Sequence, residues 1–313
     1  MTGTAAVDST TPTIDSNNFM RSIKVTSTST TAASSAGDYA AIGQRLERND
    51  AASFGWGTSN AQDVTLSFYV RSSKTGIFSA YLIGGDGFNR TFTFEYTIAS
   101  ANTWQKVVKT ISGDTGGSWT YSSDNTIGLG LNFVLENLGS GAGTTSTLNS
   151  WQAGNNYAGS TNQVNLFDTN GATWYVAGVQ LETGSQATPF EHRAHGDELL
   201  ICERYYQKHK YGSYLAVNFL GRKTGSNTVV GVMMGLPRTR AAASGTHTGA
   251  FKLYRITDGS THSSTSVTVG QPSDYGHNTM KITAEATGFM STGNMALLYT
   301  GSSGGTFELD AEL

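Results

Sequence analysis

The sequence predicts an all-β protein built in two parts, and three observations carry that expectation. Charged residues fill only 14% of the 313 positions, against roughly 25% in an average globular domain, so little Glu, Lys and Arg is left to clothe the outer faces of helices. Glycine occurs 38 times among many Ser, Thr and Asn residues, which punctuate the chain with turn signals. Between those signals, apolar residues recur with period two in short runs, the pattern of half-buried strands. The length exceeds one typical domain, so two β domains joined by a linker are expected.

Residues 1–17 are rich in Thr and Ser and contain Pro12, and read as an extended N-terminal arm. Strands are then predicted at Ser22–Thr26, Val64–Val70, Thr91–Tyr96, Lys106–Ile111, Ile127–Leu135 and Thr173–Leu181, enough for two packed antiparallel sheets. Trp104 and Trp174 read as core strand residues, and Trp56 beside Phe54 as core too. Between the last two strands, Glu136 to Asp168 is too long and polar for a plain connection; Trp151 and Tyr157 within it either staple it down or meet a ligand. From Gly196 to Lys210 the pattern is helical, with Asp197 and Glu198 in the first turn, Lys208, His209 and Lys210 in the last, and Leu199, Cys202 and Tyr206 on one face. Strands resume at Tyr214–Phe219, Thr228–Met234, Gly249–Ile256, Lys281–Ala286, Met295–Tyr299 and Thr306–Leu309. The run from Val229 to Leu236 is apolar enough for burial in a domain core or between subunits.

The formal net charge of −3 leaves no basic excess for a phosphate backbone, which argues against a nucleic-acid partner. Cys202 is the only cysteine, so an intramolecular disulfide and a cysteine-based zinc cluster are excluded. The first residues lack the basic and apolar regions of a secretory signal, and no stretch approaches the roughly 18 apolar residues of a membrane span. Synthesis in a cytoplasm without membrane insertion is the expectation.

One segment carries a family resemblance. The run Trp174-Tyr175-Val176-Ala177-Gly178-Val179-Gln180-Leu181-Glu182-Thr183-Gly184 continues through Ala187-Thr188-Pro189-Phe190-Glu191-His192-Arg193 and on to Asp197-Glu198-Leu199-Leu200-Ile201-Cys202-Glu203-Arg204-Tyr205-Tyr206. It closely resembles the interdomain junction of tail-fibre and other virion surface proteins of tailed bacteriophages. Asp63–Ser72, Thr147–Asn155 and the closing Phe307–Leu313 resemble further parts of the same family. The resemblance implies a jelly-roll, carbohydrate-binding-module-like domain over residues 18–192, a linking helix over 193–210 and a smaller C-terminal β domain over 211–313. Phe190, Glu191, Arg193, Leu199, Cys202, Tyr205 and Tyr206 would form the junction between them. It also implies a place on a phage tail or capsid exterior, other virion proteins as partners, and a homo-oligomer, as a trimer. The family's longer N-terminal attachment region has no counterpart in the short arm, which keeps a capsid-bound or accessory position open. The expected function is a receptor-binding component contacting host surface glycan. A capsid fibre, decoration or scaffold protein without sugar binding is the alternative, and a depolymerase the third.

Sugar recognition needs aromatic faces and amide or carboxylate partners for hydroxyls. The loops offer Trp119 with Tyr121, and Trp151 with Asn155, Asn156 and Tyr157; the same rings equally serve to pin loops onto a sandwich. His192 and His195 stand near Glu191 and Asp197 but lack a third zinc-ligand pattern, so they read as structural. The clusters Asp124-Asn125 and Asp168-Thr169-Asn170 supply oxygen atoms for a structural calcium ion, without EF-hand spacing; no other cofactor is expected. No G-x-S-x-G elbow occurs, Cys202 reads as a small buried hydrophobe, and Gly84-Gly85-Asp86-Gly87 reads as a turn rather than a phosphate loop. No enzymatic activity is expected.

Overall fold

The computed structural model describes the chain except residues 1, 16, 29, 31–37, 121–125, 138–142, 155–158, 215, 225–227, 235, 257, 272–278, 287–294 and 313. The chain divides into two compact units, 1–192 and 193–313.

Along the first unit run β1 (Gly3–Asp8), β2 (Ser22–Ser27), β3 (Tyr39–Glu47), β4 (Val64–Ser72), β5 (Gly76–Gly84), β6 (Arg90–Ile98), β7 (Gln105–Ile111), β8 (Ile127–Asn137), β9 (Thr144–Thr145), β10 (Trp151–Ala153), β11 (Gly159–Ser160) and β12 (Thr173–Thr183). They form two five-stranded sheets, β1-β2-β12-β4-β7 and β10-β6-β5-β8-β3, and the short pair β9-β11. Without the edge strands β1 and β10, the sheets read β2-β12-β4-β7 and β6-β5-β8-β3, the strand order of a jelly roll. Period-two patterning produces this packing. Val64, Leu66, Phe68 and Val70 of β4 face Phe92, Phe94, Tyr96 and Ile98 of β6 and Leu129, Leu131, Phe133 and Leu135 of β8 within one core. Trp174 is fully buried there and its indole N–H donates to the Tyr96 hydroxyl at 3.2 Å.

Two features of this unit differ from expectation. The N-terminal arm is not simply extended chain: β1 pairs antiparallel with β2 from Gly3↔Ser27 to Asp8↔Ser22, so its backbone groups complete a sheet edge. Strands β3 and β5 were not foreseen, although Phe78, Ala80 and Leu82 of β5 alternate into the core. The long segment after Glu136 is stapled from within, because β10 pairs with β6 and both Leu166 and Phe167 are buried.

The second unit holds one helix and a barrel-like sheet. It begins with α1 (His195–Glu203) and continues through β13 (Tyr206–Tyr211), β14 (Ala216–Lys223), β15 (Thr228–Met234), β16 (Ser244–Arg255), β17 (Thr261–Ser263), β18 (Ser266–Gly270), β19 (Thr279–Glu285) and β20 (Met295–Asp310). The order is β13-β20-β14-β15-β19-β18-β16-β17, and a further β16–β20 pairing closes the sheet on itself. Its core includes Val229, Met233, Phe251, Leu253, Ile282, Leu298 and Phe307, so part of the Val229–Leu236 run lies inside this unit.

The helix is shorter than the predicted 193–210. It ends at Glu203, and Tyr206–Tyr211 pairs as an edge strand with Gly305–Asp310. The alternation of buried Gln207 with Lys208 and Lys210 fits a strand. The Gln207 amide N–H donates to Glu203 O and Pro237 O, and Lys208 pairs with Glu308 at 2.6 Å, so tertiary partners outweigh the helix-dipole advantage of the basic cluster. Tyr206 therefore shares no helix face with Leu199 and Cys202. Cys202, expected to be buried, is exposed, as are Leu199, Leu200 and Ile201. Four consecutive apolar residues wrap around a helix instead of forming one stripe, so no single face directs them inward. The two strands foreseen at Met295–Tyr299 and Thr306–Leu309 are one, bent at Gly304, whose φ is +71°.

Candidate binding site

Three indoles gather in the sandwich: Trp56, Trp119 and Trp151, with ring centroids 5.2 Å (Trp56–Trp119), 5.0 Å (Trp56–Trp151) and 5.7 Å (Trp119–Trp151) apart, all close to edge-on. Trp56 is fully buried. Trp119 and Trp151 are half-buried and pack against the sandwich core. Glycines make the room. A Cβ on Gly84 would lie 2.4 Å from the Trp119 ring, and one on Gly57 2.9 Å from it, so the indole occupies a slot that only glycine leaves open.

A charged pair holds the loop that carries Trp119. Asp114 is buried, and its carboxylate accepts two bonds from Arg90, Nε at 2.7 Å and Nη2 at 2.6 Å, in the bidentate geometry that suits a guanidinium. The same carboxylate accepts the Trp119 indole N–H at 2.9 Å and the Gly116 amide at 3.1 Å. Asp114 raises the pKa of Arg90 further above its ordinary value. The Arg90 stem runs over Gly117, where a Cβ would meet Cδ at 2.5 Å. Nearby, Asp86 accepts from the Ser118 and Thr120 hydroxyls and the Thr120 amide, bonds that hold its carboxyl below the usual range. Arg48, Gly85, Asp86, Trp119, Thr120, Ile127 and Gly128 line a narrow cleft at this point.

The other indole N–H groups are also spent inside the protein, Trp151 on Ser112 O and Trp56 on Gln62 O, each at 2.8 Å. What Trp119 and Trp151 offer outward is ring surface, not a hydrogen-bond donor. Of the six residues picked out for sugar contact, the structure brings Trp119 and Trp151 together, whereas Tyr121, Asn155, Asn156 and Tyr157 lie outside the described residues. The roles of Arg90, Asp114, Gly57 and Gly84 were not foreseen, and Gly84 stood out only as part of the Gly84-Gly85-Asp86-Gly87 turn. That stretch is indeed a turn, a short helical twist over Asp86–Phe88.

The remaining candidates are placed as follows. Trp104, expected in the core on a strand, is only partly buried just before β7 and packs on Tyr175 at 6.0 Å. Asp168 is engaged by the Lys74 ammonium and the Thr169 hydroxyl, while Asp124-Asn125 falls outside the described residues. Among the described residues no group of three or more His, Cys, Asp or Glu side chains is placed to hold a metal ion. In the first unit, Phe190 and His192 pack with Phe19 at 4.9 and 5.7 Å, and the Glu191 amide donates to Gln180 at 2.8 Å. In the second, Arg193 reaches Glu198 at 3.4 Å, and the Tyr205 carbonyl accepts the Ala311 amide at 2.7 Å. Partial burial, with Glu198, Glu203 and Glu312, pushes the Cys202 thiol pKa up, away from the thiolate a nucleophile needs. Among the described residues no helix is long and apolar enough to cross a membrane.

No protein-family profile and no curated protein matches this chain. Among solved structures, the enzymatically active domain of tailspike protein 4 from bacteriophage CBA120 is similar over 58% of this chain, at 11% identity and a TM-score of 0.32. This chain spans 18% of that tailspike chain. A putative sugar binding protein from Bacteroides thetaiotaomicron VPI-5482 is similar over 58% of this chain and 82% of its own, at 13% identity and a TM-score of 0.29.

Proposed function

We propose that this chain is a virion surface protein of a tailed bacteriophage, a tail-fibre or receptor-binding component whose sandwich contacts host cell-surface glycan. The observation that carries the reading is the rim of Trp119 and Trp151, two half-buried indoles set edge to face, Trp119 fixed by Asp114 and the glycine slot and Trp151 by its bond to Ser112 O. Rings fixed before a ligand arrives lose little freedom on binding, which suits sugar C–H faces that gain little from any one contact. The junction from Trp174 to Tyr206 supports the phage setting by its resemblance. Several linked copies would raise the effective concentration of weak sites, so a homotrimer on the particle fits the reading. The role is binding, without catalysis or a cofactor.

A second reading, a fibre, decoration or scaffold protein without sugar binding, is favoured by a different observation. Every indole N–H of the cluster is satisfied internally, and Leu199, Leu200 and Ile201 stand exposed as for protein contact. The test is binding of the labelled full chain to candidate host cells before and after their surface polysaccharide is stripped. Loss on stripping supports the receptor reading; undiminished binding, or no binding by folded protein to any productive host, moves the assignment to the second.

A further inference from the structure

The barrel wall contains a fork. Strand β16 pairs with β20 along its length, but on its other side it meets β18 only at Ser244↔Gly270 and β17 only over Lys252–Tyr254. Backbone bonds close the two ends, Gln271 N–H to Ala243 O at 3.3 Å and Ser264 N–H to Phe251 O at 2.9 Å. Among the described residues none bridges Thr246–Ala250 to β18, so main-chain polar groups border the gap.

A cavity of about 230 Å³ opens there, lined by His247, Gly249, Phe251, Lys252, Ser263 and Ser266 among others. Phe251 is buried in the barrel core, stacked on Phe307 at 4.7 Å, with the His247 ring 5.8 Å away at 65°. Some polar groups are committed: the Ser264 hydroxyl donates to Phe251 O and the Thr265 hydroxyl to Glu285 O. Among the described residues, the Ser263 and Ser266 hydroxyls, the His247 ring nitrogens and the Lys252 ammonium have no hydrogen-bond or ion-pair partner. The hollow thus joins a cation, free hydroxyls and an imidazole, with Gly249 adding no side chain to fill it. An open groove lined by Ser244, Thr268 and Lys281 flanks the other end of the fork.

We propose that this fork is a binding site for a sugar unit bearing one negative charge, a carboxylate or a phosphate ester. Lys252 meets the charge, and Ser263, Ser266 and His247 the ring hydroxyls. The site lies in the barrel unit and goes beyond the glycan role proposed for the sandwich.

The test is isothermal titration calorimetry of the full chain with glucuronate, glucose 6-phosphate and neutral glucose, with tryptophan emission followed in parallel. All five tryptophans lie within residues 1–192, so an emission change marks ligand at the sandwich tryptophans, while loss of the heat in Lys252→Gln places it in the barrel. The expected result is saturable binding of at least one charged sugar and none of glucose. Lys252→Gln weakens it on the order of tenfold, and Ser266→Ala by less, with melting unchanged in both. Preference for glucuronate or glucose 6-phosphate assigns the charge to a carboxylate or a phosphate ester. Absence of binding by both charged sugars, equal binding of glucose, or wild-type binding by folded Lys252→Gln overturns the proposal.

Discussion

Replacing Asp114 with alanine tests how the sandwich holds its tryptophan rim. The carboxylate is 2% exposed and the Arg90 side chain 13%, so the substitution leaves a guanidinium largely out of water without its counter-charge. Breaking a buried pair from one side typically costs ~3–5 kcal/mol. The Arg90 stem is confined over Gly117 and cannot easily swing into solvent, but its residual exposure favours the lower part of that range. In a unit of this size each kcal/mol lowers the melting temperature by roughly 2–4 °C, so Asp114→Ala should melt about 6–16 °C below the parent. The Trp119 indole N–H also loses its acceptor, so tryptophan emission should change in the native state. Because all five tryptophans lie in residues 1–192, an emission-monitored melt follows the sandwich alone, while the far-ultraviolet dichroism signal follows both units. The double variant Arg90→Met, Asp114→Leu removes the charges together and should recover much of the loss. A single variant melting within about 2 °C of the parent, with unchanged emission, would refute the view that this pair anchors the loop.

Other outcomes follow from the same structure. Gly84→Ala places a methyl group 2.4 Å from the Trp119 ring; the indole should leave its slot, at a cost of about 1–3 kcal/mol, read as red-shifted emission and an earlier melt. Burial lowers the pKa of His209 below its ordinary 6.5, against a smaller upward pull from Glu203. The unfolded chain therefore takes up the proton first, and barrel stability should decline as pH falls through 6.5 and level off below the folded value, a step that His209→Gln abolishes in pH-dependent melts. Below the ordinary carboxylate range a second decline is expected, because Asp258 and Glu308 have lowered pKa values through bonds from Ser260 and Lys208 respectively. Leu200→Glu on the exposed face of α1 should change thermal stability of the isolated chain by no more than about 0.5 kcal/mol. If the helix packs between copies, the same variant lowers the molar mass measured by light scattering.

Period-two runs made most of the sandwich legible, because Val64–Val70 and Ile127–Leu135 each send alternate large side chains into one core. Strand β5 escaped notice, since apolar Tyr81 and Ile83 on its other face and the small Ala80 dilute its alternation; strand β1 did because its pairing with β2 draws on backbone groups that side-chain patterning does not report. The helix was overextended for a similar reason: Lys208, His209 and Lys210 match a helix C-terminus locally, and only the distant Gly305–Asp310 segment makes them a strand. At the candidate site, Trp119 and Trp151 announced themselves as aromatic loop residues. The parts that fix them did not, because Arg90 and Asp114 are 24 residues apart and Gly57 and Gly84 matter through the space they leave. Chain spacing carries no signal for such contacts.

The central claim, that the sandwich recognises glycan through its tryptophan rim, is met most directly by titrating the full chain with polysaccharide released from host cells while recording tryptophan emission. A saturable emission change that is absent with polysaccharide from receptor-deficient cells is the predicted result. Unchanged emission at concentrations where the same protein coats intact cells would contradict the claim and place recognition elsewhere on the chain.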